Sequence, residues 1–398
     1  MEERPLYTII LAHFNQYNYI FTALDSILKQ SYQAIEIIVM DDCSDFFDKE
    51  EILAYINKHK QANIKSVQVL VNEENAGTVR SMNRALKAAN GVFVQMFAAD
   101  DRLNNDEVAE SFVSEFEKLG DGAEMLCALA MKMDENLTPP GEYHMAPRRH
   151  DRFNAMSARE QYERMAFNCD WAMGAICART EMYKRMGYFS ESYKYIEDWP
   201  FYMHITRNGV KGHAVGFKAL DHRDGGISRT LYDADAPYAK QYQNDVLTAI
   251  ETEIFPYLNT FPIQAQDDLV KKYNIEYQTL INIDGTRKKV RLRDLYKYSK
   301  EAVGWRLLSA WCENNNDLIK KAVILVYAMA LVLFITFGLR SGAFPLDIQF
   351  PWAATIVQAG LVLSCIGLVC SIILLIANLI AWIAFRTNKT LKTIKART

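Results

Sequence analysis

The sequence predicts an α/β protein built on a mostly parallel sheet, followed by a C-terminal helical hairpin in a membrane. Three observations predict it. Short apolar runs alternate with segments of helical spacing over the first hundred residues. Paired aspartates close two of those runs, and two long uncharged stretches close the chain. In order, 7–11 (YTIIL) is the first strand. Residues 19–31 are a helix, because Ile20, Ala23, Leu24, Ile27 and Leu28 fall on one side. The run 35–40 (IEIIVM) is a second strand, ending in Asp41-Asp42-Cys43-Ser44. A helix near 48–60, a strand at 67–71 and a helix at 78–89 follow. The strand 92–97 ends at Ala98-Ala99-Asp100-Asp101. Such alternation covers both faces of a parallel sheet, and ligands then bind at the carboxyl ends of the strands.

Composition narrows the function classes. The chain has 398 residues, half of them hydrophobic and 23% charged, which excludes a disordered protein. The net charge of −3 hides an asymmetry. Residues 1–286 carry a net −14 and residues 287–321 a net +6. An acidic body with basic flanks argues against nucleic acid and for a membrane surface. Seven cysteines without a CxxC pair argue against a disulfide framework or a structural zinc site. The soluble part is expected in a reducing compartment. The opening Met1-Glu2-Glu3-Arg4-Pro5 does not read as a signal peptide.

Residues 322–339 form an uncharged stretch of 18 residues, about 27 Å as a helix and enough to cross the hydrocarbon core. A second uncharged stretch runs over 349–385, with its span expected within 358–384. Lys320 and Lys321 precede the first; Arg386, Lys389, Lys392, Lys395 and Arg397 follow the second. Both ends are therefore expected in the cytoplasm. The expected divisions are a catalytic-type domain over 1–236, a helical, basic juxtamembrane region over 237–321, and two spans with a basic tail over 322–398. Residues 240–258 read as helix. The alternating basic and apolar run 287–293 would lie against anionic lipid, with Trp305 and Trp311 at the interface.

Two adjacent carboxylates after a buried strand repel each other and lose hydration. A cation relieves both costs, and hard oxygen ligands suit Mg²⁺ or Mn²⁺. A helix N-cap or a turn is the plainer use of such residues.

Taken together, the motifs resemble the family 2 glycosyltransferases, which have the GT-A fold. The resemblance covers roughly residues 6–230. It rests on YTIILAHFNQYNYIFTALDSILKQSY, IEIIVMDDCSD, NEENAGTVRSMNRAL, NGVFVQMFAADD, GAICARTEMYKRMGYF and YIEDWPFYMHI, in family order. It implies that Asp42, with its neighbour Asp41, contacts the nucleotide base. Ala12 and His13 match the other wall of that pocket, where the usual Pro-Thr is replaced, and Asn15 lies in the turn beside them. Asp100 and Asp101 match the end of the metal-binding acidic motif, with Ala98 where many relatives have its first Asp. Asp101 is expected on a divalent Mn²⁺ or Mg²⁺, with Asp100 on the ribose or sharing the metal. Glu197-Asp198 matches the Glu-Asp motif whose Asp is the catalytic base, and Trp199 would exclude water or stack on an acceptor sugar. His222 or Arg223 is expected on the diphosphate, beside a loop that Gly225 and Gly226 would let move. Arg80 resembles a residue lining the nucleotide site.

The resemblance implies an inverting, metal-dependent transferase in cell-surface polysaccharide synthesis, moving one sugar from a nucleotide-sugar, by default a UDP-sugar. The acceptor is expected to be a lipid-linked or membrane-proximal glycan, with polyprenyl phosphate as the alternative. A degenerate nucleotide-sugar binder or membrane scaffold is the reading from a different class. No Gln-x-x-Arg-Trp motif of a processive synthase is found. The expected partners are membrane lipid and, as an option, a second copy of the chain, and the expected place is a bacterial membrane.

Overall fold

A computed structural model describes residues 4–138, 142–224 and 238–283. The chain divides into two compact units. The first, residues 1–257 with 275–286, holds the whole sheet. The second is 258–274 with 287–398, of which only 258–274 are described.

The first half follows the sequence closely. Strand β1 (Tyr7–His13) leads into helix α1 (Tyr17–Leu28), β2 (Ile35–Asp41), α2 (Lys49–His59), β3 (Ile64–Val71), α3 (Thr78–Ala88) and β4 (Phe93–Ala98). β1 and β2 are buried along almost their whole length, as strands covered on both faces must be. Ile20, Ala23, Leu24, Ile27 and Leu28 of α1 are the buried side chains the spacing predicts. Asp48 caps α2 by accepting from the amides of Glu50 and Glu51.

Next come β5 (Arg102–Leu103), α4 (Val108–Leu119), β6 (Met125–Met133), β7 (Glu142–Tyr143), α5 (His150–Ala155) and α6 (Ala158–Met165). They are followed by β8 (Ile176–Arg179), α7 (Thr180–Met186), α8 (Asp198–Arg207), β9 (Gly212–Arg223), α9 (Ala239–Ala249) and α10 (Ile263–Ile283). On α4, Phe116 stacks on Phe93 of β4 at 4.5 Å. The helix expected over 240–258 is α9, ending at Ala249 and continuing in a wider π-type turn over Ile250–Ile254.

One expectation is refined. The sheet is mixed: its long pairings are parallel, and its short ones are antiparallel. Its order is β3-β2-β1-β4-β8-β6-β9-β5, with β7 on β6. The β1–β2, β2–β3, β1–β4 and β6–β9 pairings are parallel. The β4–β8, β6–β8, β5–β9 and β6–β7 pairings are antiparallel. β8 has four residues and β5 and β7 two each, too short to carry an alternation signal.

The apolar reading of β2 also missed one polar anchor. Glu36 is buried and accepts from Thr8 Oγ1 (2.6 Å), Asn90 N (2.8 Å), Asn90 Nδ2 (2.8 Å) and Ser66 Oγ (3.2 Å). Burial pushes its carboxyl up, but these donors outweigh burial and hold it below the usual range.

Among the described residues, no helix is long and apolar enough to cross a membrane. The expected spans, the basic run 287–293, Trp305, Trp311, Gly225 and Gly226 all lie outside the described residues.

Candidate active site

The ends of β1, β2 and β4 meet at one edge. His13 pairs with Asp41, and Ala12 lies between Met40 and Ala98. His13 is buried, with Nδ1 2.7 Å from Asp41 Oδ1 and Nε2 3.3 Å from the Gln16 amide. An amide can only donate, so Nε2 accepts and the proton sits on Nδ1, facing Asp41. Ser44 adds its hydroxyl (2.6 Å) and its amide (3.0 Å) to the same carboxylate. Burial pushes Asp41 up, and this set of donors brings it below the usual range. The trio is not a nucleophile arrangement, because Ser44 and His13 both donate to Asp41.

Asp42 faces the next turn. Its Oδ1 accepts from Asn72 Nδ2 (2.7 Å) and Ala76 N (2.8 Å), and its Oδ2 from Gly77 N (2.9 Å). The two aspartates that the sequence assigns to a base thus tie together the turns that carry them. Asn15 takes φ 52° and stitches the two turns together, its amide on Ser44 Oγ and its Oδ1 on Asp45 N. That stitch leaves Phe14 43% and Phe46 87% exposed beside the strand ends. Sequence reasoning passed over both. The available signal was an aromatic residue inside each polar turn.

The second cluster forms where β9 returns to the end of β4. Asp101 is buried and accepts from the Arg223 amide (2.8 Å), with His222 Nδ1 3.0 Å from its other oxygen. Burial lowers His222, but Asp101 and then Asp100 outweigh it and raise the imidazole above its ordinary value. Asp100 is pushed up to about 6, by burial first and by the charge of Asp101 second. The Gln16 side chain, next to the His13 cluster through its amide, counters part of that rise. Arg223 gives Nε to Asp100 O (2.7 Å) and Nη1 to Glu135 O, and its cation lies 4.2 Å over the Tyr19 ring. Its guanidinium thus organises the aspartate turn through backbone carbonyls. The His144 ring stands edge-on to His222 at 5.1 Å.

Among the described residues no group of three or more His, Cys, Asp or Glu is disposed to hold a metal ion. The donor chemistry of Asp100 and Asp101 nevertheless fits one. Their oxygens are hard ligands, and the raised Asp100 carboxyl marks negative charge that His222 only partly offsets. Water or phosphate oxygens would complete the shell of such an ion.

The third cluster is Glu197-Asp198 at the start of α8. Asp198 Oδ1 accepts its neighbour's amide, from Trp199 N (2.6 Å). Burial raises both carboxyls; Glu197 is raised further by the charge of Asp198 and then of Asp245. The pair therefore holds a proton at a pH where exposed carboxylates have lost theirs. The helix N-terminus favours the ionised form of Asp198. Trp199 is buried, its indole N–H donating to Met165 O at 2.7 Å, so its polar edge faces inward and it packs α8 against α6. Arg80, on α3, is largely exposed and lies 3.6 Å from Glu191.

Comparison with known proteins places these clusters in context. Residues 8–188, just under half of the chain, match the family described as Glycosyl transferase family 2. Over 105 residues the chain is 30% identical to a putative teichuronic acid biosynthesis glycosyltransferase, TuaG, of Bacillus subtilis, covering 26% of this chain and 40% of that protein. Over 271 residues it is 24% identical to an uncharacterized glycosyltransferase of Haemophilus influenzae, covering 66% and 77%. Over 114 residues it is 32% identical to the poly(ribitol-phosphate) β-N-acetylglucosaminyltransferase TarS of Staphylococcus aureus, covering 27% and 19%. The crystal structure of TarS residues 1–349 aligns with a TM-score of 0.47 at 16% identity, covering 72% of this chain and 94% of that one. The matched stretches span less than two thirds of TuaG and of full-length TarS.

Proposed function

We propose, from the premise that residues 8–188 are a family 2 glycosyltransferase domain, that this chain is an inverting glycosyltransferase. It moves one sugar from a nucleotide-sugar to a hydroxyl of a lipid-linked or membrane-proximal glycan in cell-surface polysaccharide synthesis. The observation that carries the reading is the adjacent carboxyls Glu197-Asp198 at the start of α8, with Asp198 Oδ1 on the Trp199 amide; burial raises both.

The acceptor oxygen attacks the anomeric carbon from the face opposite the diphosphate. A carbon–oxygen bond to the acceptor forms as the bond to the diphosphate breaks. The acceptor proton passes to the carboxylate of Asp198, whose Oδ1 is steadied by the Trp199 amide. The carboxyl of Glu197 keeps the pair's other proton, so a single negative charge stands beside the reaction. Asp101 and Asp100 would hold a Mg²⁺ or Mn²⁺, with His222 beside them. Bound there, such an ion would supply positive charge against the departing diphosphate. Asp42, Asp41, Ala12, His13 and Asn15 form the nucleoside wall, with Arg80 at its outer edge. The uncharged stretches over 322–339 and 349–385 anchor the chain in the membrane, with the domain on the cytoplasmic side.

The test uses the full chain in lipid with Mn²⁺ or Mg²⁺, a panel of nucleotide-sugars, and native glycolipid or polyprenyl phosphate as acceptor. Transfer to a glycan hydroxyl with inverted anomeric configuration is expected. Product with retained configuration, or only with polyprenyl phosphate, would overturn the hydroxyl-acceptor mechanism.

A further inference from the structure

The segment 189–198, which delivers Glu197 and Asp198, has no strand of its own until α8 begins. A catalytic carboxylate on such a segment needs outside anchors, because about 1 Å of misplacement can cost a hundredfold in rate. The structure supplies them from three directions. Asn83 of α3 clamps the start: its Nδ2 donates to Phe189 O (2.8 Å) and its Oδ1 accepts from Phe189 N (3.0 Å). The turn before α3 presses on the middle. Gly77 lies so close to Lys194 that a Cβ would meet Lys194 Cγ at 2.7 Å, and Val79 N donates to Lys194 O at 3.4 Å. The third anchor comes from α9, some fifty residues along the chain. Asp245 is buried, and its Oδ2 accepts both the Lys194 amide (2.9 Å) and the Tyr195 amide (2.8 Å). Gln241 Nε2 holds its other oxygen at 2.8 Å.

We propose that Asp245 is a positioning residue: it fixes the two amides just before Glu197-Asp198 and so sets where the catalytic carboxylate stands. The inference rests on the reading of Glu197-Asp198 given above. One carboxylate oxygen with two amides on it defines the backbone to within hydrogen-bond tolerance. Tyr193, whose hydroxyl lies 2.7 Å from Thr252 Oγ1, ties the same segment to the chain just past α9. The anchor also adjoins the nucleoside wall, because Gly77, which leans on Lys194, donates its amide to Asp42. The far end of the domain therefore contributes to the active site through a residue that touches no substrate.

Two conservative variants separate position from charge. Asp245→Asn keeps an oxygen for both amides and loses the charge. Asp245→Glu keeps the charge and lengthens the side chain by one methylene, which pushes the segment away. Positioning predicts that Asp245→Asn stays within about threefold of wild-type kcat, while Asp245→Glu loses about tenfold or more with donor KM within about twofold. Hydrogen exchange across 193–198 in the full chain is expected to rise in Asp245→Glu and to stay protected in Asp245→Asn. The proposal is overturned if the Glu variant is active and the Asn variant is not, since charge would then be the role. It is equally overturned if both variants behave as wild type, or if both lose protection and melting temperature across the whole domain. A wild-type chain that transfers no sugar would strike the function reading alone, since exchange reads the hold of Asp245 without turnover.

Discussion

Removing the Asp42 carboxylate tests whether the proposed nucleoside wall is also a structural joint. Three donors converge on it, from Asn72, Ala76 and Gly77, all at 2.9 Å or less, and only 6% of the residue is exposed. Hydrogen bonds to a charged group contribute about 1.5–3 kcal/mol each, and stranding several buried donors costs about 3–5 kcal/mol in all. Asp42→Ala is therefore expected to lower stability by about 3–5 kcal/mol, which for a domain of this size is a fall of roughly 6–20 °C in Tm. Asp42→Asn keeps Oδ1 for two donors and turns its NH₂ toward the Gly77 amide. It should cost about 1–3 kcal/mol, the penalty of one unsatisfied donor. The assay is thermal unfolding of the full chain by circular dichroism, paired with nucleotide binding by calorimetry. Both variants should lose stability and nucleotide affinity together. An Asp42→Ala protein with wild-type Tm and abolished binding would refute the joint and leave only a base contact. Wild-type values for both would refute either role.

Three further outcomes are expected. The transfer rate should climb with pH through an apparent pKa above the ordinary carboxylate range, because Glu197 and Asp198 are both raised by burial and base action needs the ionised form; a rate profile flat down to pH 4.5 would contradict it. Gly77→Ala should cost about 1–3 kcal/mol, since its φ of 86° disfavours a side chain and the new Cβ meets Lys194, and it should lower kcat more than donor affinity; steady-state kinetics and urea unfolding check this. Glu36→Gln should cost about 1–3 kcal/mol at pH 7 and less in acid. The folded carboxyl of Glu36 lies below its unfolded value of 4.5, so its contribution is present above that pH and drains away as pH falls through the lowered folded value. Unfolding curves of the two proteins should stand apart at pH 7 and draw together as pH falls below 4.5.

The first half of the fold was legible because its elements are long and their periods distinct. Strands β1 to β4 and helices α1 to α3 lie within a few residues of where alternating apolar runs put them. The mixed sheet was not legible, because β5, β7 and β8 gain their identity from neighbours far along the chain: Arg102 pairs with Asp221, and Phe93 with Arg179. The site was legible as ordered motifs but not as contacts. His13 reads as a wall of the base pocket in sequence and is a buried donor to Asp41 in space. Arg223 reads as a phosphate ligand and gives Nε and Nη1 to backbone carbonyls. Trp199 reads as a platform and turns its N–H inward to Met165. Asp245 gave no signal, since a lone Asp within a helix is most often solvated. Only the fold brings it onto the amides of Lys194 and Tyr195.

The most direct measurement is single-turnover nucleotide release and glycan product formation by the wild-type chain and by Asp198→Asn, with donor binding measured on both. The account predicts that the variant binds nucleotide-sugar within about threefold of wild type and loses transfer by about a thousandfold or more, as removal of a base acting only in the transition state does. Transfer surviving in Asp198→Asn at a rate near wild type would contradict it.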